Sequence, residues 1–239
     1  MISSYYMELK LVKKVNATKD TVSFFFQSNE RFEFISGQYI YITLPKLNYE
    51  DERGATRHFT ISNSPTEKEF IVITTRIREE SGYKKTLNEL NIGDFVEGRG
   101  PLGSFIFNEK DNTKSHVFLA GGIGITPFRS MIKYCYDKRI NTNILLIYSN
   151  STNDFVFKSE LDEIQKNYGN LKIEYINTQE QGRLDKNKLE LLLNNNRFDK
   201  NNSEFMIVGP NPFVDGMEEI LEVMKINEDN IKTEKFTGY

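Results

Sequence analysis

The chain has 239 residues, enough for one large domain or two medium ones and for a substantial buried core. A hydrophobic share of 38% and a charged share of 27% exclude a disordered chain, and a net charge of −3 without any lysine- or arginine-rich block argues against a nucleic-acid partner. One cysteine, Cys135, excludes an internal disulfide and a cysteine-ligated zinc or iron–sulfur site, and predicts a reducing, cytoplasmic setting.

Residues 1–10 lack the basic segment and apolar run of a secretory leader. The longest apolar runs, such as 144–148, are far too short to span a bilayer, so a soluble protein is expected. Up to about residue 112, short runs rich in β-branched and aromatic residues alternate with polar turns, at 21–26, 38–44, 57–61, 70–75 and 94–98. That spacing predicts an antiparallel barrel or sandwich, with one short helix at 83–90. Beyond residue 112 strands and helices alternate. Strands are predicted at 116–120, 143–148, 171–176 and 205–208, and helices at 127–136, 157–168, 184–193 and 212–224. Such alternation builds a parallel sheet with helices on its faces. The polar stretch 107–115 reads as the linker, dividing the chain into a β domain at 1–111 and an α/β domain at 112–239.

Two stretches carry chemistry. The first runs Leu119-Ala120-Gly121-Gly122-Ile123-Gly124-Ile125-Thr126-Pro127, an apolar strand entering three glycines and a helix start. Glycine permits positive φ and close approach of another molecule. Thr126 is placed as the N-cap and Pro127 at the first helical position, with free N–H groups facing an anion. The spacing differs from the dinucleotide fingerprint G-x-G-x-x-G, and a turn that only packs helix against strand remains an open alternative. The second stretch is Arg57-His58-Phe59-Thr60, which puts Arg57 and Phe59 on one strand face and His58 and Thr60 on the other. An arginine fork matches a phosphate, a phenyl ring lies flat against a heterocycle, and a hydroxyl bonds a ring nitrogen. An exposed arginine beside a core phenylalanine is the competing reading.

Together with three further segments, these stretches resemble the ferredoxin–NADP⁺ reductase superfamily. Arg57-His58-Phe59-Thr60 is similar to its Arg-x-Tyr-Ser/Thr flavin motif, and Gly121 to Pro127 to its Gly-Gly-x-Gly-x-Thr-Pro nicotinamide turn. Ser81-Gly82-Tyr83-Lys84-Lys85-Thr86 resembles the segment cradling the FAD pyrophosphate. Gly100-Pro101-Leu102-Gly103-Ser104-Phe105 resembles the turn closing the barrel, and Gly209-Pro210-Asn211-Pro212 the late turn framing the nicotinamide. The ending Glu234-Lys235-Phe236-Thr237-Gly238-Tyr239 resembles the family's aromatic C-terminus, a tail returning to the flavin.

The resemblance implies FAD as cofactor and NADH or NADPH as electron donor. Arg57 would hold an FAD phosphate, Phe59 would pack on the flavin or ribityl chain, and Thr60 would bond near the reactive flavin nitrogen. Gly82, Tyr83, Lys84 and Thr86 would serve the pyrophosphate, Thr86 through its N–H at the helix start. His58, Thr74 and Arg76 would lie near the flavin, and Gly121, Gly122, Gly124, Pro127, Ser149, Asn150, Gly209 and Pro210 along the nucleotide. Thr126 would stand where the two rings meet, and Phe236, or alternatively Tyr239, would shield the flavin. Two departures are Phe59 where the family has tyrosine, and Val208 where many members carry cysteine.

The implied activity is transfer of a hydride from NAD(P)H to FAD and delivery of electrons to a separate protein: a ferredoxin, a flavodoxin or an oxygenase component. Reduction of a small acceptor (free flavin, quinone or ferric chelate) and a non-catalytic flavin-binding subunit are the alternatives. No metal site is expected from two distant histidines; His116 reads as structural and Cys135 as core. Residues 148–154, where adenine-ribose selection occurs, lack an arginine for a 2′-phosphate, which favours NADH unless Lys158 or Arg183 substitutes. Oligomeric state has no local signature.

Overall fold

A computed structural model describes residues 5–109 and 113–236. Two compact units divide after Phe107, with residues 129–134 belonging to the first.

The first unit is a curled antiparallel sheet of six strands, β1 (Tyr5–Asn16), β2 (Thr21–Ser28), β3 (Tyr39–Thr43), β4 (Thr56–Thr60), β5 (Ile71–Arg76) and β6 (Phe95–Leu102). They run in the order β4-β3-β6-β1-β2-β5, and a bridge between Ile61 and Ile73 joins the chain leaving β4 to β5, curling the sheet into a barrel. Period-two alternation fills its interior: Met7, Leu9 and Leu11 from β1, Phe24 and Phe26 from β2, Ile40 and Ile42 from β3. Helix α1 (Gly82–Glu89) adds Tyr83 and Leu87 to the same core.

The second unit is a parallel sheet of five strands, β7 (Ser115–Gly121), β8 (Ile144–Asn150), β9 (Leu171–Asn177), β10 (Ser203–Pro210) and β11 (Ile231–Phe236), in the order β11-β10-β7-β8-β9. The helices between them are α2 (Ile125–Lys138), α3 (Lys158–Asn167), the four-residue α4 (Thr178–Gln181), α5 (Lys186–Asn195) and α6 (Asn211–Val223). All seven residues of β8 are buried, as a central parallel strand covered on both faces requires. No helix among the described residues is long and apolar enough to cross a membrane.

The barrel-then-α/β order matches the sequence expectation, with three differences. Strand β1 was not expected, because Lys10, Lys13 and Lys14 and a register shift between Leu11 and Lys13 break its alternation. Strand β11 was not expected: Phe236 is its last residue and pairs with Pro210 of β10, and the rest of the expected aromatic tail lies outside the described residues. Phe107, expected to open a polar linker, is only 4% exposed.

Candidate functional site

Within the first unit, strand alternation holds at β4. The Arg57 guanidinium carbon lies 5.1 Å from the Tyr83 ring centroid and the Phe59 ring 6.0 Å from it. His58 points the other way, exposed, with its ring 5.3 Å from Tyr39 and 5.7 Å from Tyr41. Thr60 is 6% exposed, and its hydroxyl makes no hydrogen bond among the described residues. Arg57 is held by acceptors of its own chain: Nη1 donates to the carbonyls of Arg53, Gly54 and Thr56 at 2.8, 2.9 and 2.8 Å, and Nη2 to Asp51 Oδ1. Burial pushes the Asp51 carboxyl up, but the N–H groups of Tyr83 and Arg53, with Arg57 and Ser81, outweigh it and hold the group below the usual carboxylate range.

Several residues nominated from the sequence are spent in the fold. The Tyr83 side chain is fully buried and donates its hydroxyl to the Ile42 carbonyl at 2.9 Å, so only its backbone faces the helix start. Thr86 is the fifth residue of α1, past the four free N–H groups of a helix N-terminus, and its hydroxyl donates to the Gly82 carbonyl at 2.8 Å. Thr74 sits in a buried hydroxyl trio, 2.8 Å from Ser23 Oγ and 3.0 Å from Ser62 Oγ. Arg76 pairs with Asp20 at 3.1 Å. Lys84 is 8% exposed, and burial, followed by the charges of Arg78, Arg76, Arg53 and Arg57, pushes its ammonium down to about 8.

Within the second unit, the glycine turn divides its labour. Gly122 has φ +55°, a left-handed conformation suited to glycine, and the nearest atom to a Cβ there would be Asn150 Oδ1 at 3.9 Å. Gly124 instead lets α2 approach β10, since a Cβ would lie 2.3 Å from the Val208 carbonyl oxygen. Gly121 and Gly209 likewise make room for the Phe213 ring. Helix α2 begins at Ile125, two residues earlier than expected, so Thr126 is not the N-cap and its hydroxyl donates to the Ile123 carbonyl at 3.2 Å. The cause is the 3-10 turn Gly122–Gly124, which carries helical backbone into the start of α2. Pro127 then occupies the third helical position, where its missing N–H is still no loss.

Ser149 pairs in register with Gly121 at the carboxyl edge of the sheet. It is 5% exposed, and its buried hydroxyl has no partner among the described residues. Asn150 donates to the carbonyls of Thr152 and Asp154 at 3.3 and 3.0 Å, closing the loop after β8. Lys158 is engaged with Asp162 at 2.7 Å and lies 4.2 Å from the Tyr175 ring centroid, and Arg183, the other candidate, is exposed. Glu234, on the same strand face as Phe236, was not nominated. One of its oxygens is buried without a partner among the described residues, and burial pushes its carboxyl up to about 7. Alternation along β11 would have exposed it, had the strand been expected. Tyr239 lies outside the described residues.

Residues 8–107 match the oxidoreductase FAD-binding domain and residues 118–219 the oxidoreductase NAD-binding domain. The chain belongs to the ferredoxin–NADP⁺ reductase superfamily. Its two domains are an FAD-binding and an NAD-binding domain of the oxidoreductase type. It is 25% identical to Flavohemoprotein A of Dictyostelium discoideum, over 94% of this chain and 58% of that one. It is 28% identical to NADH-cytochrome b5 reductase 1 of Mortierella alpina, over 72% of this chain and 57% of the relative. The chain thus spans less than three fifths of these relatives' length. The structure of ferredoxin-NADP+ reductase from Plasmodium falciparum superposes with a TM-score of 0.77 at 22% identity, covering 97% of this chain and 96% of that one, a likeness of fold.

The residues present fit the superfamily's cofactors. A buried ammonium crowded by guanidinium groups favours an anion such as a pyrophosphate, and the unengaged Thr60 hydroxyl favours a polar ring atom. The orphaned Ser149 hydroxyl beside a left-handed glycine at the carboxyl edge of a parallel sheet favours a nucleotide.

Proposed function

We propose that the protein takes a hydride from NADH, in preference to NADPH, and passes electrons through FAD to a separate redox protein such as a ferredoxin, a flavodoxin or an oxygenase component. When bound, FAD supplies the conversion between the two-electron chemistry of nicotinamide and one-electron acceptors. The protein's own task is placement. Lys84 and Arg57 bind the FAD pyrophosphate, the Thr60 hydroxyl hydrogen-bonds a flavin ring atom, and Phe59 packs against its face. The Gly122 backbone and Ser149 hydroxyl hold the nicotinamide nucleotide, Thr126 lies beside its ring, and Phe236 excludes water.

The observation that carries this reading is the Ser149 hydroxyl, buried without a partner among the described residues where a nucleotide would supply one. Engagement of Lys158 by Asp162 supports NADH, since it removes one candidate for a 2′-phosphate. A partner protein is supported by the relative named for cytochrome b5 and by the single cysteine in these 239 residues, too few for a cluster. Anaerobic mixing of the purified protein with each nucleotide tests it. Flavin bands that bleach faster with NADH, then recover faster with a one-electron protein acceptor than with free flavin, quinone or ferric chelate, are expected. A protein that neither retains FAD nor oxidises either nucleotide overturns the reading.

A further inference from the structure

The turn before β4 fills an anion seat with its own side chain. Both Asp51 oxygens are taken: Oδ1 by Arg57 Nη2 and the Arg53 N–H at 3.1 Å, Oδ2 by the Ser81 hydroxyl at 3.1 Å and the Tyr83 N–H at 2.9 Å. The side chains of Asp51 and Arg57 are 8% and 10% exposed. The chain reaches this position by crossing close above α1, for a Cβ on Gly82 would lie 2.2 Å from the Glu50 carbonyl oxygen and 2.8 Å from that of Tyr49. A guanidinium, a hydroxyl and N–H groups at a helix start, all converging on two oxygens, form the donor set a phosphate takes up. A carboxylate offers the same sign of charge and the same two-oxygen face.

We propose that Asp51 is a resident substitute for a cofactor phosphate, and that FAD binds by exchanging its pyrophosphate for this carboxylate as residues 49–54 leave the seat. The inference rests on the reading that Arg57 and the start of α1 receive the pyrophosphate. In the flavin-free protein, Asp51 keeps Arg57, Ser81 and α1 in their holding geometry. A pyrophosphate and a carboxylate cannot share these donors, because like charges at hydrogen-bond separation repel. Affinity for FAD is therefore lowered by the release of Asp51, whereas affinity for riboflavin, which has no phosphate, is not.

Flavin-free protein titrated with FAD and with riboflavin, followed by flavin fluorescence, tests the exchange. Asp51→Asn is expected to bind FAD about tenfold more tightly, with riboflavin unchanged. If Asp51→Asn binds FAD equally or more weakly while Arg57→Ala also weakens it, the exchange is overturned and Asp51 is a fixed support for Arg57. If Arg57→Ala leaves FAD affinity unchanged, the pyrophosphate reading of the seat fails, and the exchange with it. Wild-type protein gives a reading that needs no variant to fold. When release of Asp51 precedes binding, the FAD association rate levels off with rising FAD concentration; a rate that climbs linearly throughout overturns the proposal.

Discussion

The Arg57 and Gly122 corners of this protein are held in shape by opposite means. At the Arg57 corner, polar groups hold one another: the guanidinium, the Ser81 hydroxyl and the Tyr83 N–H are all spent on Asp51 or on nearby carbonyls. At the Gly122 corner, steric packing does the holding, with Gly121 and Gly209 against Phe213 and Gly124 against the Val208 carbonyl. Packing consumes no donors, so Ser149 is left with a hydroxyl to offer. Polar organisation keeps a site intact without its ligand but ties up the groups that would bind it. Steric organisation leaves them uncommitted.

Breaking the polar corner should cost the most. Arg57→Ala leaves a carboxylate that is 8% exposed without its cation, and removing one partner of a buried pair costs about 3–5 kcal/mol. Urea unfolding of the flavin-free protein measures it. Asp51→Asn combined with Arg57→Ala should lose less than the sum of the single changes, since the stranded charge is gone. Additive losses would show that the pair is not coupled.

The steric corner breaks through Gly124. A Cβ there meets the Val208 carbonyl oxygen at 2.3 Å, which is backbone and cannot rotate away. Gly124→Ala should therefore cost up to about 3 kcal/mol by overpacking, and lower the melting temperature. Gly122→Ala has room for its methyl group and bears only the left-handed φ of +55°, an expected loss of about 1 kcal/mol. Equal losses at the two glycines would contradict the division of labour between them.

Glu234 sharpens the comparison, because it is a polar group that the steric corner leaves unsatisfied. Its carboxyl ordinarily titrates near 4.5 and is pushed up to about 7 by burial. A raised pKa means that the folded state favours the protonated form. The associated stability is full below about 4.5 and is lost as pH rises through about 7, a difference on the order of 3 kcal/mol. Glu234→Gln should flatten that slope in melting curves taken between pH 4 and pH 8. An unchanged slope would assign the pH dependence to another group.

The sequence exposes these two corners unequally. Core alternation such as Ile40 and Ile42 in β3, and the unbroken apolar run of β8, are legible because side-chain period and burial coincide there. The glycine turn is legible for the same reason that it works: glycine is the residue that close approach and positive φ demand. Asp51 is not legible. It sits among Glu50, Glu52 and Arg53, and only the crossing over Gly82 selects one carboxylate from that run. The internal hydrogen bonds of Tyr83 and Thr74 are not legible either, because a helix of eight residues and a strand buried on both faces give no phase from which to tell outward-facing side chains from core ones. Strand β11, with its Ile-Lys-Thr-Glu-Lys-Phe sequence, has too few apolar residues to announce itself.

The smallest expected effect is also the most diagnostic. Ser149→Ala removes a hydroxyl that bonds nothing among the described residues, so the fold loses no hydrogen bond and sheds the cost of burying an unsatisfied group. Stability should be unchanged or slightly raised. If that hydroxyl is kept for the nucleotide, the same substitution removes one hydrogen bond from the bound state alone, worth about 1 kcal/mol, or about fivefold in NADH affinity. Parallel measurement of the melting temperature and of NADH binding to the flavin-loaded protein separates the two. Weaker NADH binding at unchanged stability marks Ser149 as a ligand-facing group. Lost stability at unchanged NADH binding would make it a structural residue, and the steric corner would then be organised like the polar one.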